Sequence, residues 1–277
     1  VVPINYINIV ISGTKMRIAV FTDTYLPEIN GVTTSLKNSI SLLSKKHDFC
    51  IFAPTYPGFV DAVQKNVLYH RISSLEIPTY RHARLVLPDS SITDLCHDFN
   101  PDIIHIHTPS TLGWYGVRCA RLFKKPVVGT FHTLISEMLH YTTFSRRQVA
   151  ETSSRKKIVW WWLKKIYNQC DLITTPTQSM KSELKKRGIL VPLEVISNGL
   201  MLERYPAKKK YSLTSTLIHH GRLAYEKNID LLLTMMAILV KKYPRLTLKI
   251  IGQGPAEQKL RDECRVLNLT NNVQFLG

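Results

Sequence analysis

The segment HHGRLAYEKNIDLLL, residues 219–233, sets Arg222 and Lys227 five residues apart in a turn leading from an apolar strand (216–221) into a helix (228–242). In open α/β sheets, ligands bind outside the carboxyl ends of the strands, in the loops that enter helices. Arg222 lies just past the strand end. Lys227 stands just before Asn228, which reads as the N-cap of the helix, where unpaired N–H groups and the positive dipole end collect. A guanidinium, an ammonium and a helix N-terminus at one place suit a diphosphate. Two solvated cations on an exposed loop are the plainer alternative.

Working outward, the same pattern repeats. Strand 246–252, a helix over 255–267 and strand 273–277 follow. Upstream, strands are predicted at 17–22, 48–54, 102–108, 126–133 and 171–177, and helices at 30–46, 92–99, 112–123, 145–169 and 179–188, the last closed by Gly188. Apolar strands without a polar face, alternating with helices, imply a parallel sheet covered on both sides. The fold class is α/β, with a doubly wound, Rossmann-like first domain over 16–197. A charged, aperiodic linker follows at 198–212, then the opening half of a second Rossmann-like domain at 213–277. Residues 1–15 read as an upstream extension before Met16, and the chain reads as truncated at Gly277, because a complete second sheet needs about as much sequence again.

Composition bounds the partners. With 44% apolar residues in 277, the chain can bury a real core, and a net charge of +17 calls for an anionic partner: nucleic acid, anionic lipid or a phosphorylated ligand. Five scattered cysteines without a CxxC pair argue for reduced thiols in a cytosolic setting. No window approaches the ~18 apolar residues of a membrane span.

Several further segments carry a resemblance. GRLAYEKNIDLLL resembles the G-R-L-x-x-x-K-x-x-x-x-L-L element of the retaining GT-B glycosyltransferases, and FTDTYLPEINGV, DIIHIHTPSTLG, GTFHT, CDLITTPTQSMKSEL and VISNGL are similar to other elements of the same family. Within it, GTFHTLISEMLHY followed by a basic helix is most similar to enzymes that glycosylate diacylglycerol or phosphatidylinositol. The resemblance implies that Arg222 and Lys227 hold the diphosphate of a nucleotide-sugar, that Gly31 faces the β-phosphate, and that His132 donates a hydrogen bond at the donor sugar near the reacting carbon. Gly252 and Gly254, in the GQGP turn, would shape the nucleotide crevice. The family's paired glutamates would fall downstream of Gly277, so the chain by itself is expected to have little transferase activity.

Other residues are weighed on their own chemistry. His105 and His107 share one strand face at a spacing that could hold a metal, but no third ligand is suitably spaced and no Asp-x-Asp occurs, so no metal or other cofactor is expected. In the helix around 155–169, Ile158, Val159, Trp162, Leu163, Ile166 and Tyr167 are predicted to face the sheet. Lys157, Trp161, Lys164 and Lys165, with Trp160 at the edge, are predicted to face outward. Lysines interleaved with tryptophan suit an anionic membrane surface, placing the protein at the cytoplasmic, inner face of the membrane with a lipid acceptor. Packing of Trp161 under a neighbouring loop is the alternative. A basic nucleic-acid-binding protein is the competing class, against which stands the lack of any recognised nucleic-acid motif; an inactive, lipid-binding remnant is a third.

Overall fold

The computed structural model describes residues 14–76, 84–132, 154–205, 207 and 215–277, in two compact units, 1–205 and 206–277. The expectation for an upstream extension falls mostly outside these residues, as do the GTFHT-flanking segment 133–153 and most of the linker's second half.

The first unit is built on a seven-stranded, all-parallel sheet. Its strands are β1 (Arg17–Phe21), β2 (Asp48–Pro54), β3 (Val67–Ile72), β6 (Ile103–Ile106), β7 (Val127–Thr130), β8 (Leu172–Thr175) and β9 (Leu193–Val195). A short antiparallel pair, β4 (Ser74–Glu76) with β5 (Arg84–Val86), stands apart from it. The spatial order β3-β2-β1-β6-β7-β8-β9 reverses direction at β1 and β6. That reversal is the topological switch point where doubly wound sheets open a crevice.

Helices α1 (Gly31–Leu43), α2 (Ser91–Phe99), α3 (Thr111–Phe123), α4 (Ser154–Tyr167) and α5 (Gln178–Lys186) cover the sheet. Burial on both faces explains the apolar runs: Ala19, Phe21, Cys50 and Phe52 join one core, while Val20, Phe49, Ile51 and Ala53 join a second with Leu36 and Ile40 of α1. Phe21 and Phe52, register partners, stack at 4.4 Å.

The second unit has three parallel strands, β10 (Thr216–His220), β11 (Thr247–Ile251) and β12 (Val273–Phe275), with α6 (Ile229–Lys242) and α7 (Glu257–Val266). Its core gathers Leu233, Met236, Leu248, Ile250 and Leu260.

Four strands have no signature in the sequence, for one reason. β3 carries Tyr69, His70 and Arg71 and buries only Ile72 fully, and β4, β5 and β9 are three residues long with at most one buried residue each, so none shows an extended apolar run.

The inward face of α4 also differs from expectation. It is Lys156, Trp160, Leu163, Ile166 and Tyr167 that are buried, while Ile158 and Trp162, expected inside, are 64% and 41% exposed. Trp160, expected at the outer edge, is 6% exposed, parallel to the Phe131 ring and with the Arg187 guanidinium 5.0 Å over it. Burying Trp160 among these partners leaves Trp162 over the start of α3, where its indole N–H donates to the Pro109 carbonyl at 2.7 Å.

This orientation has a direct consequence for stability. Trp160→Ala should cost about 3–5 kcal/mol and Leu163→Ala about 2–5 kcal/mol, whereas Trp161→Ala should stay within about 0.5 kcal/mol. Urea unfolding followed by circular dichroism measures all three; a Trp161→Ala loss as large as that of Trp160→Ala would contradict the observed face.

Candidate functional site

At the carboxyl end of β1 the chain turns through Thr22 and Asp23, and buried polar groups collect. Asp23 accepts from the Thr108 hydroxyl at 2.6 Å and from the Leu112 amide at 3.1 Å, while its own amide donates to Thr108 Oγ1 at 2.7 Å. The carboxylate therefore caps the N-terminus of α3 from another strand, and ties the β1 loop to the β6 loop across the switch point. Burial nevertheless pushes Asp23 up to about 6. Gly113, one turn into the cap, is obligatory: a Cβ there would lie 1.9 Å from the Thr108 carbonyl oxygen.

Gly31 is the first residue of α1. Its N-cap, Asn30, accepts from the Thr33 amide at 2.9 Å and donates from its Nδ2 to Thr24 Oγ1 at 2.8 Å, so the helix start is fixed to the β1 loop. Among the described residues nothing lies within 4 Å of a Cβ built on Gly31, so no contact among them demands a glycine there; the open space beside a helix N-terminus does suit an anionic group. The segment carrying Asn198 and Gly199 docks on the same helix, the Ser35 hydroxyl meeting Asn198 Oδ1 at 3.0 Å and the Asn38 amide donating to the Gly199 carbonyl at 3.2 Å.

His132 follows β7. Its Nε2 lies 2.9 Å from Nδ1 of His107, which follows the end of β6, and the rings of His105 and His107 stand 4.0 Å apart. His105 Nε2 meets Thr130 Oγ1 at 2.7 Å, which in turn meets Thr174 Oγ1 at 2.7 Å, so a polar chain crosses β6, β7 and β8. Among the described residues, no group of three His, Cys, Asp or Glu side chains is arranged to hold a metal ion.

In the second unit, β10 ends just before Gly221, and a turn of 3-10 helix, Tyr225–Lys227, precedes α6. Arg222 is partly exposed and Lys227 exposed, on either side of Leu223 and Ala224, which are buried in the core. Asn228 precedes α6 as expected but does not cap it with its side chain; it sits in the left-handed region at φ 48°. The turn is pinned from below, the Leu223 amide donating to the Gln253 carbonyl at 3.0 Å and the Ala256 amide to the Leu223 carbonyl at 2.9 Å.

Gly252 and Gly254 make this fit possible. Gly252 has φ +132°, and a Cβ on it would lie 2.0 Å from the Gly221 carbonyl oxygen; one on Gly254 would lie 2.3 Å from that of Leu223. Their smallness is thus used by the Arg222 loop itself.

The structure thus gathers Arg222, Lys227, Gly252 and Gly254 at one end of the second unit's sheet. It places Gly31 and His132 at carboxyl ends in the first unit, and keeps Lys157, Trp161, Lys164 and Lys165 on α4 without Trp160. Asp23, Thr108 and the His107–His132 contact do not stand out in the sequence as a site. The one signal is polar residues placed directly after apolar strands, in FTDT and HIHT.

These groups set the pH response. Burial lowers His105 and His132 to about 4 and His107 well below its ordinary 6.5. Unfolded histidines protonate near 6.5, so the stability from these neutral side chains is present above that pH and is lost as pH falls towards 4. Asp23 has the opposite sign: it holds its proton up to about 6 when folded, against 3.8 ordinarily, so acidification over that window favours the fold. Three histidines outweigh one carboxyl. The melting temperature should fall between pH 6.5 and 4, and fall more steeply in Asp23→Asn, which lacks the opposing proton; equal slopes in calorimetric scans would show that Asp23 does not titrate this way.

Comparison with known proteins agrees with the fold. Residues 29–204 match Glycosyltransferase Family 4, and residues 205–277 match Glycosyl transferases group 1. The chain is 28% identical to the alpha-monoglucosyldiacylglycerol synthase of Streptococcus pneumoniae, covering 95% of this chain and 61% of that protein. It is 25% identical to a GDP-mannose-dependent alpha-mannosyltransferase of Corynebacterium glutamicum, covering 89% and 60% respectively. The chain therefore spans about three fifths of the length of these two relatives. Among solved structures, S. aureus TarM in a complex that includes UDP superposes with a TM-score of 0.65 at 12% identity, over 95% of this chain and 77% of that one. The Rossmann-like units are of the GT-B type, and with its first unit matched from the entry to α1 through the basic α4 helix and the last strand of the sheet, this chain belongs to glycosyltransferase family 4.

Proposed function

We propose that this chain serves a retaining glycosyltransferase that moves a hexose from a nucleotide-sugar, UDP-glucose or GDP-mannose, to a membrane lipid such as diacylglycerol. The observation that carries the reading is the Arg222–Lys227 turn, two cations flanking a buried Leu223–Ala224 pair at the entrance to α6. The names of the relatives support a glucosylated diacylglycerol product in one case and GDP-mannose as donor in the other: one is an alpha-monoglucosyldiacylglycerol synthase, the other a GDP-mannose-dependent alpha-mannosyltransferase.

In this reading Arg222 and Lys227 hold the donor diphosphate and stabilise the charge that develops as it leaves. The bond from the anomeric carbon to the β-phosphate oxygen breaks, and the acceptor hydroxyl oxygen bonds to that carbon from the same face. Its proton passes to the departing diphosphate oxygen. Gly31 leaves room for phosphate at the start of α1, and His132 donates a hydrogen bond to the sugar. Gly252 and Gly254 act on the donor through the loop they support.

The acceptor side rests on α4. Lys157, Ile158, Trp161, Trp162 and Lys165 are exposed on one side of this helix, with Lys164 half-buried, and the Lys165 ammonium lies 5.0 Å over the Trp161 ring. Exposed tryptophan between lysines suits the headgroup layer of an anionic membrane, at the inner face of a cell membrane. No described helix is long and apolar enough to cross a membrane.

Two measurements test the reading. Charged hydrogen bonds contribute about 1.5–3 kcal/mol, so Arg222→Ala or Lys227→Ala should weaken UDP or GDP binding roughly ten- to a hundredfold in titration calorimetry; unchanged affinity in both would end the diphosphate role. Near an anionic surface each lysine contributes about 1 kcal/mol. Changing Lys157, Lys164 and Lys165 to glutamate should therefore abolish most flotation with phosphatidylglycerol vesicles, and Trp161→Ala should reduce it at every salt concentration. Equal flotation of the lysine variant and the wild type would make this face ordinary solvated surface.

A further inference from the structure

His107 stands where a strand end meets the crevice, yet none of the roles above uses it. It is 7% exposed, its Nδ1 is 2.9 Å from His132 Nε2, and its own Nε2 is buried with no hydrogen-bond partner among the described residues. His105 is committed elsewhere, to the Thr130–Thr174 hydroxyl chain. The His107–His132 bond is thus a discrete pair set beside that chain.

A neutral imidazole carries one proton, on one nitrogen or the other. Were His107 protonated at Nε2, a buried N–H would go unpaired, and orphaned buried N–H groups are rarer than orphaned acceptors. Protonation at Nδ1 avoids this. It leaves a bare lone pair at the orphan position and aims the N–H at His132. His132 Nε2 must then accept, so its own proton lies on Nδ1, the nitrogen that His107 does not engage.

We propose that His107 is a positioning residue for His132: its Nδ1–H donates to His132 Nε2, locking the ring in the Nδ1–H tautomer and leaving that N–H as the donor presented to the sugar. This rests on the nucleotide-sugar reading for its purpose, though not for its geometry. A histidine free to exchange tautomers would present a donor only part of the time, and a donor that is fixed before the sugar arrives needs no reorganisation during transfer.

The test is the imidazole ¹⁵N spectrum of the histidine-labelled chain at pH 7, with the His132 signals assigned by their loss in His132→Gln. The wild type should show His132 protonated at Nδ1 and bare at Nε2. His107→Asn, whose amide nitrogen stands where Nδ1 stood, should keep that pattern, and His107→Leu should lose it. A wild-type ring protonated at Nε2, or an unchanged pattern in His107→Leu, overturns the proposal, and if the leucine variant does not fold the wild-type and asparagine spectra still decide it. Under glycosyl transfer, His107→Leu should lower kcat roughly ten- to a hundredfold with little change in donor KM, and His107→Asn should recover most of it. Unchanged turnover in a folded His107→Leu also overturns the positioning role. A full-length protein carrying this chain that transfers no sugar refutes the functional reading instead, and the spectrum alone then decides the histidine pair.

Discussion

Parallel pairing is the constraint on which everything else in this protein depends. Once β1, β2, β6, β7 and β8 are apolar enough to be buried on both faces, helices must cover both sides and every connection must cross over. All carboxyl ends then lie along one edge of the sheet. Polar residues have no place among Ala19, Phe21, Ile51 and Ile104, so they gather where the strands stop. Thr22, Asp23, His107, Thr108 and His132 all sit within two residues of a strand end. The crevice chemistry follows from the hydrophobic pattern as its complement.

Such concentration of polar groups costs free energy, and the structure shows how the cost is contained. Asp23 is desolvated, yet the Thr108 hydroxyl and the Leu112 amide of α3 donate to it, so its carboxylate serves as a cap. The histidines stay neutral because burial makes the cation costly; the Thr130 hydroxyl meets one nitrogen of His105, and His107 and His132 meet each other. The His107 Nε2 atom has no partner among the described residues, an uncommon condition in a buried site. The second unit meets its corresponding problem with backbone instead of side chains. Gly252 and Gly254 let two loops touch closely enough that Arg222 and Lys227 are held at the head of α6.

Periodicity makes the regular part of this legible in the sequence. The strand-to-helix turn at 219–233, the alternation of elements and the helix stop at Gly188 are local signals, and the elements form near their expected places. What periodicity does not reveal depends on contacts between distant segments. β3 reads as polar because Tyr69, His70 and Arg71 serve a sheet edge, with Arg71 bonded to Asp61 and to the Pro54 carbonyl. The buried face of α4 departs from its helical pattern because its partners are distant in sequence: Trp160 lies parallel to Phe131 and under Arg187, and Trp162 donates to Pro109, 53 residues away. Asp23 gives a hint by its position after a strand, but its partner Thr108 lies 85 residues on. Asn228 has the right residue type for a cap, and the preceding 3-10 turn puts it in a backbone conformation from which its side chain does not reach.

Anionic nucleotide, on this account, is held at the strand ends and not by diffuse positive charge. Backbone amide spectra of the ¹⁵N-labelled chain, titrated with UDP and GDP and separately with uridine and guanosine, test that claim most directly. Saturable shifts should be largest at Arg222, Lys227 and the first amides of α6, with a second group at Gly31 and Thr33, and far weaker shifts from the uncharged nucleosides. Shifts scattered over the lysine-rich surface, or equal responses to nucleoside and diphosphate, would contradict it.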